Sequence, residues 1–440
     1  MKVGMSRTLT VMTLGALLIG AAPALAQPAV DVTPLAAPDA FANGARDTGL
    51  PPDLWRGASV ETARTVLPLL AARPLSPAAA ALARRVLATG ANGPEGAGQD
   101  RELAGARIAA LIAQGGVKDA GAILSRTSGL ERNPVLAQAG AEAALLAGQD
   151  ARACDIAEGL ASGREEIYWL RLRAYCQAQG GQAGAARLTF DLAQGVARDA
   201  IFGRLMGAKL AGAGDPGAAS LRGGLDYALS RSLGLDLAAA SPAPAVAAAL
   251  AADKPGPASW SIEAGPGPLK AAMAAAAAGD LAGAQSLRAG LTADATPVNE
   301  LALLDALIAA ASGKPDGPTL DRLVERGAVE GAKTRGKMQN AAILLAALGA
   351  PMTPQARGEF AKFVGAEACK ASVARGLALD LAGEAKLMGE TALLALWISA
   401  EAGPAGPATG DRARIVRALR LAGLEPEARA FAVEGLLAQR

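Results

Sequence analysis

Apolar residues recur three and four positions apart through a series of short segments from residue 59 onward. In residues 164–179, Ile167, Leu170 and Ala174 form one stripe, and Leu172 and Tyr175 lie beside it. This spacing places the apolar side chains on one face of an α-helix, whereas a strand would alternate them every second residue. The pattern therefore predicts a series of short amphipathic helices.

Capping residues and glycines predict where these helices begin and end. Ser59 precedes the first helix, Ser76-Pro77 and Asn133-Pro134 each place a capping side chain before a proline in the first turn, and residues 162–165 fit a capping box. Glycine stops a helix because it adopts the left-handed conformation at little cost. The predicted helix ends are Gly90, Gly115, Gly148, Gly180 and Gly214. Short helices with turns of three to five residues between them favour antiparallel hairpins.

The composition agrees with an all-α fold. Apolar residues make up 51% of the 440 residues, but aromatic residues only 3%. Alanine has the strongest helix propensity, and the β-branched and aromatic residues that favour strands are scarce. A sheet protein of this length would need more of them.

The predicted helix-ending glycines are evenly spaced. Gly115, Gly148, Gly180 and Gly214 follow one another at nearly equal intervals, and Gly279 lies about two intervals further on. Each is followed five residues on by an alanine, and Gly423 repeats the pair near the C-terminus. The alanines are Ala120, Ala153, Ala185, Ala219, Ala284 and Ala428. A period near 34 with two helices per unit resembles the tetratricopeptide repeat.

The best single match to that family is Trp169-x-x-Leu172 followed by Gly180 and Ala185. Cys176 and Arg173 replace the tyrosine and the small residue usual in the family, and the closing proline is missing. The resemblance covers residues 100–290 and weakens beyond them. It implies an α-solenoid of antiparallel helix hairpins whose concave surface binds partners.

Proline-rich segments divide the chain. Six prolines lie between residues 241 and 268, too densely for helix interiors. The predicted organisation is a signal peptide (1–26), an extended or disordered leader (27–58), an N-terminal helical repeat array (59–240), a Pro-rich linker (241–268), a C-terminal helical array (269–401) and a C-terminal helical hairpin (411–440).

The N-terminus predicts export. Lys2 and Arg7 precede an uncharged apolar stretch from Leu9 to Ala22, and Ala24-Leu25-Ala26 forms a cleavage site before Gln27. That stretch is shorter than the ~20 residues that span a bilayer. We therefore expect a periplasmic or secreted protein with no stable membrane span after cleavage. Cleavage removes two of the 43 basic residues and none of the 41 acidic ones, so the mature chain is neutral. This disfavours nucleic acid as a partner.

The sequence offers little catalytic chemistry. It contains no histidine, no Cys-x-x-Cys motif and no phosphate-binding glycine loop after a strand. The acidic pairs Glu165-Glu166 and Asp321 with Glu325 are interpreted as a helix cap and a solvated helix face. We predict no catalytic residue, no metal ligand and no cofactor, and expect that the protein is not an enzyme.

Two pairs of residues are singled out. Cys154 and Cys176 lie on neighbouring predicted helices, and an oxidising compartment permits a disulfide between them; otherwise they are small buried hydrophobes. Arg171 and Arg204 are candidate partner-binding residues on the first helices of two successive units, where each guanidinium would pair with a partner's carboxylate.

These features favour a non-catalytic scaffold that binds other envelope proteins. The alternatives are an envelope enzyme with a helical body, for example one acting on peptidoglycan, and a self-associating structural protein.

Overall fold

The computed structural model describes residues 41–98, 100–212, 215–251, 260, 267–329, 331–364 and 369–439. The predicted signal peptide, residues 1–26, and the first part of the predicted leader lie outside the described residues, as do residues 252–259 and 261–266 of the Pro-rich segment.

The described part of the chain is helical and contains no strand, which confirms the all-α class. The α-helices are α1 (Val60–Ala72), α2 (Pro77–Ala88), α3 (Arg101–Ala113), α4 (Val117–Ser125), α5 (Pro134–Leu146), α6 (Asp150–Gly159), α7 (Ile167–Gln179), α8 (Ala183–Val196), α9 (Ala200–Ala211), α10 (Gly224–Ser232), α11 (Pro244–Leu250), α12 (Pro268–Ala278), α13 (Leu281–Ala289), α14 (Val298–Ser312), α15 (Gly317–Val329), α16 (Ala332–Ala347), α17 (Pro354–Phe360), α18 (Val373–Glu384), α19 (Met388–Ala402), α20 (Thr409–Leu421) and α21 (Glu425–Leu437). A short 3-10 helix, Leu130–Arg132, precedes α5. Among the described residues, no helix is both long and apolar enough to cross a bilayer.

Within the described ranges, six connections of two or three residues share one turn geometry. They join α3 to α4, α5 to α6, α7 to α8, α12 to α13, α18 to α19 and α20 to α21. In each, a left-handed residue follows the first helix, and the next backbone N–H donates to the carbonyl five residues earlier, as Gln149 does to Ala144 at 2.8 Å. This is the Schellman arrangement, which satisfies carbonyls that the helix end leaves unpaired. Consecutive helices joined in this way also contact each other.

The glycine predictions are confirmed at some positions and wrong at others. Gly115 and Gly148 are left-handed, with φ of 89° and 75°. Gly180 has φ of −80°, and Gly181, with φ of 73°, makes the turn instead. The alanine five residues after Gly181 is Ala186, which is fully buried, whereas Ala185 is exposed. Gly214 lies outside the described residues.

Two predicted caps differ from expectation. The capping box at residues 162–165 is wrong, because Gly163 adopts a left-handed turn and α7 begins only at Ile167. Ser76 does precede α2, but its hydroxyl makes no capping bond. The Ala78 N–H instead donates at 2.8 Å to the Glu434 carboxylate of α21. The cap of α2 therefore comes from a helix near the opposite end of the chain.

The described helices enclose one main hydrophobic core, and it crosses the Pro-rich segment. Helix α1 packs against α3 and also against α19, while α2 packs against α19 and α21. Helix α14 lies against α21 as well. Many of the buried positions are alanines, whose small side chains let helices approach closely. Helices assigned by sequence to two arrays thus share a core.

Residues 41–58 contain no helix and are anchored by buried side chains. Phe41, Leu54 and Trp55 are almost completely buried, and the rings of Phe41 and Trp55 meet edge to face at 5.8 Å. The Arg107 guanidinium of α3 lies 5.1 Å from the Phe41 ring. This part of the predicted leader is an ordered strap across the helices. Part of the predicted linker is helical too, because it contains α11.

Candidate interaction surface

Helix α8 is apolar on two faces. Ala186, Phe190 and Ala193 are buried on the side that faces α7 and α9. On another side, Leu188, Leu192 and Val196 are 74%, 55% and 58% exposed. The four-residue spacing aligns these three side chains in a stripe about 12 Å long at 1.5 Å per residue. A surface helix ordinarily presents polar residues to solvent, so this stripe needs an explanation.

The charged residues around this stripe are paired within α8. Arg187 donates to Asp191 at 3.1 Å, one turn along the helix, and its guanidinium lies 5.7 Å from the Phe190 ring. Such an exposed pair contributes little to stability. The opposite charges of Arg187 and Asp191 keep the surface beside the stripe close to neutral. A partner of this face would therefore bind mainly through apolar contacts.

A disulfide joins α6 to α7, the helix that pairs with α8. Cys154 of α6 and Cys176 of α7 are joined with an S–S distance of 2.00 Å and a Cα–Cα distance of 5.5 Å. Cys369 is a free, exposed thiol. The bridge ties α6 to α7, and α7 packs along the length of α8. The stripe therefore lies on a helix whose neighbour, α7, is fixed to α6 by the disulfide.

Arg171 is not the free rim charge that the sequence predicted. Its guanidinium pairs with Asp199 at 3.3 Å, donates to the Ala197 carbonyl at 3.1 Å and lies 5.4 Å from the Phe202 ring. Its side chain is only 22% exposed. Arg171 holds α7 against the start of α9, and its positive charge is already paired with Asp199.

Arg204 is also engaged within the chain. One guanidinium nitrogen donates to the Ala218 carbonyl at 2.8 Å, and the other, Nη1, is buried. A Cβ on Gly217 would lie 2.7 Å from that buried nitrogen, so the absence of a side chain there makes room for Arg204. Both predicted binding residues thus stabilise local structure.

Asp199, the acidic partner of Arg171, is held ionised. Asp199 accepts backbone bonds from Ile201 and Phe202 as the N-cap of α9, and it pairs with Arg222 at 3.1 Å. Burial raises the pKa of Asp199, but the bond from the Phe202 N–H and the pairing with Arg222 outweigh it, so the net pKa is lowered. The network is a structural support beneath α8.

Most aromatic residues between 168 and 227 belong to the core. Trp169, Tyr175, Phe190 and Phe202 are buried, and the rings of Phe190 and Phe202 lie 5.9 Å apart. The partly buried Tyr168 donates its hydroxyl proton to Glu142 at 2.9 Å, and burial raises the pKa of that carboxyl. These rings therefore do not line a groove.

A second apolar stripe lies on α18. Val373, Leu377 and Leu381 are spaced by four and are all more than half exposed, while Gly376, Leu379 and Ala382 of the same helix are buried. The neighbouring acids are paired, Asp380 with Arg414 and Glu384 with Arg417, each at 3.0 Å.

The sequence contains the signal for both stripes. A helix with one complete apolar face that carries a second set of apolar residues at four-residue spacing has more apolar surface than one core contact needs. The charged residues Arg171 and Arg204 are the more conspicuous feature of this part of the sequence, and Leu188, Leu192 and Val196 were not predicted.

The described residues contain no cluster of cysteines and carboxylates that could hold a metal ion. Glu165 and Glu166 are exposed beside the start of α7. No protein-family model matches the chain, and neither a curated protein nor a solved structure matches it significantly.

Proposed function

We propose that this protein is a non-catalytic interaction scaffold of the cell envelope, periplasmic or secreted, that binds a partner protein through the outer face of α8. The observation that carries the proposal is the stripe of Leu188, Leu192 and Val196, exposed on a helix that already buries its other apolar face. Contiguous exposed apolar residues mark surfaces that other proteins cover.

Two observations support the proposed location. The N-terminal sequence has the order of a secretory signal peptide. The Cys154–Cys176 disulfide suits an oxidising compartment. A tetratricopeptide-like organisation is part of the same proposal, supported by the left-handed turns at Gly115, Gly148 and Gly181, which are equally spaced along the chain.

The test is affinity purification from envelope extracts with quantitative mass spectrometry. We expect Leu188→Gln with Leu192→Gln to reduce recovery of the partner at least tenfold, since burying each leucine contributes about 1.5–3 kcal/mol. The melting temperature should stay within a few degrees because both side chains are exposed in the free protein.

The matched control is Val298→Gln with Val329→Gln, which likewise replaces two exposed apolar side chains but lies outside α8 and α18. Recovery should be unchanged in this control. Equal recovery by the wild type and the α8 variant would contradict the proposal.

A second candidate function is self-association, and the α18 stripe is the observation that favours it. Light scattering at increasing protein concentration would then give a dimer mass for the wild type and a monomer mass for Leu377→Gln with Leu381→Gln. A monomer mass for both proteins at all concentrations would remove this candidate.

A further inference from the structure

A cavity of about 570 Å³ lies between α2 and α21, near the ends of α12 and α14. Pockets of roughly 300–1,000 Å³ hold small molecules in proteins. Much of its lining is apolar and made of small residues: Ala78, Ala81, Ala277, Ala311, Ala430 and Val433. The half-buried Trp260 also lines it, and the Trp260 backbone N–H donates to the Ala277 carbonyl at 3.2 Å.

Four arginines line this cavity, and three of them are held by other groups of the chain. Arg46 binds the Asp119 carboxylate at 3.2 Å, Arg84 donates to the Gln114 carbonyl at 3.0 Å, and Arg85 pairs with Glu427 at 2.6 Å. Arg429 is different, because it forms no hydrogen bond or ion pair within the described residues. Its side chain passes the end of α14, where a Cβ on Gly313 would lie 2.7 Å from Arg429 Cδ and Nη1. Among the described residues, Arg429 is therefore an unpaired cation at this cavity.

Glu427 supplies an unsatisfied acceptor in the same lining. Its Oε1 accepts from Arg85, but its Oε2 is buried and has no hydrogen-bond partner among the described residues. The side chain is only 8% exposed. A buried carboxylate oxygen without a donor costs free energy comparable to a lost hydrogen bond, and a ligand that donates to it would recover that energy.

The helix geometry separates these two groups. Pro426, Ala430 and Val433 recur at helical spacing and form the face of α21 that lines the cavity. Glu427 and Arg429 lie on opposite flanks of that face, Glu427 toward α2 and Arg429 toward α14. A ligand lying across the face would meet an acceptor at one end, a cation at the other, and alanine methyl groups between them.

We propose that this cavity binds a short peptide with small side chains and free termini. The peptide carboxylate pairs with Arg429, and its methyl groups contact the alanine lining. The Glu427 side chain turns toward the cavity, so that the peptide ammonium group donates to Oε2. This site is separate from the α8 surface, so either proposal can fail while the other stands.

The probe is alanylalanine, titrated into the purified protein by calorimetry at millimolar concentrations. N-acetyl-alanylalanine lacks the ammonium group, and alanylalanine amide lacks the carboxylate. We expect alanylalanine to bind and each derivative to bind about tenfold to a hundredfold more weakly, which is what one charged hydrogen bond contributes.

Two variants assign the ends of the peptide. Arg429→Gln should weaken alanylalanine about tenfold while leaving the affinity for the amide nearly unchanged. Glu427→Gln should abolish the preference for a free ammonium group over the acetylated one. Arg417→Gln, an exposed ion-pair arginine on α20, is the matched control and should bind like the wild type.

Melting curves establish that each variant is folded. Arg429→Gln keeps the test valid if Glu427→Gln unfolds, because Arg429 has no partner among the described residues. Absence of alanylalanine binding, equal affinity for the three compounds, or unchanged selectivity in Arg429→Gln would each overturn the proposal.

Discussion

At the scale of single residues, buried arginines join distant parts of the backbone. Arg107 is almost completely buried in α3, where its guanidinium donates to the carbonyls of Leu87, Thr89 and Phe41 at 2.8–3.2 Å. A fourth bond goes to the Asn43 carbonyl. These carbonyls lie at the end of α2 and in the strap, where no helix can satisfy them. One side chain thus completes the hydrogen bonding of two irregular segments.

Arg107→Met should therefore be strongly destabilising. Methionine fills similar space but leaves buried carbonyls without donors, and each unsatisfied group costs about 1–3 kcal/mol. We expect the free energy of unfolding in urea to fall by about 3 kcal/mol or more. Arg101→Met, at the exposed start of the same helix, should change it by less than about 0.5 kcal/mol. A small effect at Arg107 would mean that the strap is not held by this residue.

At the scale of elements, the shared turn geometry makes one position unusual. Lys386, between α18 and α19, has φ of 56°. Among the described residues it is the only one other than glycine with a positive φ. The left-handed conformation costs a residue with a Cβ about 1–2 kcal/mol. Gly148 has the same role between α5 and α6 without that cost.

Lys386→Gly should stabilise the protein. Relief of the left-handed strain outweighs the added flexibility of the unfolded chain, which costs about 0.4–1 kcal/mol. We expect a net gain of about 0.5–1 kcal/mol in urea unfolding. Gly148→Ala should lose about 1 kcal/mol through the same strain. The nearest atom to a Cβ there, Arg231 Nη1, is 3.9 Å away, so a steric clash would not explain the loss. A stability loss in Lys386→Gly would refute this account of the turn.

The disulfide between α6 and α7 gives a chemical prediction. In denaturant without reductant, the protein should show one free thiol, that of Cys369, and three after reduction. Replacing Cys154 and Cys176 with alanine should destabilise the protein by about 3 kcal/mol, because the bridge closes a loop with a sequence separation of 22. Cys369→Ala should have little effect. Three thiols before reduction would rule out the bridge.

Capping residues and glycines in the sequence predicted where helices begin and end better than how the helices pack against one another. Ser59 and Asn133 cap α1 and α5 as their side-chain chemistry requires. The one-residue shift from Gly180 to Gly181 was not predictable, because adjacent glycines are equally able to adopt positive φ. The pairing of Arg171 was not predicted, because its partner Asp199 lies at the start of another helix. Sequence spacing within one helix carries no information about such a partner.

At the scale of the whole molecule, the pairing of distant helices was the least predictable feature. Alanine-rich helices present nearly equivalent faces, so the sequence does not specify which distant helix covers which face. In the structure α2 and α21 meet through specific polar contacts. Arg85 pairs with Glu427, and Glu434 accepts both from the Ala78 N–H and from Arg412 at 2.5 Å. Glu427 and Glu434 are two helical turns apart, so they lie on one face of α21.

This pairing predicts that the described helices unfold as one cooperative unit. In an open array, each repeat contacts only its neighbours, so loss of the last hairpin would leave distant helices unchanged. Here, removal of residues 409–440 uncovers α2 and α14 and deletes the Glu434 cap of α2. Hydrogen exchange measured by mass spectrometry should therefore show loss of protection in α1 and α2, far from the deleted segment in sequence.

A point variant tests the same coupling without truncation. Glu434→Ala removes the acceptor of the Ala78 N–H and the carboxylate that pairs with the buried Arg412, and an uncompensated buried charge costs about 3–5 kcal/mol. Exchange should accelerate at the start of α2 as well as in α20 and α21. Glu425→Ala, at the exposed start of α21, is the matched control and should leave α2 protected. If protection of α1 and α2 survives both Glu434→Ala and the truncation, the N-terminal helices fold independently and the two-array organisation is correct.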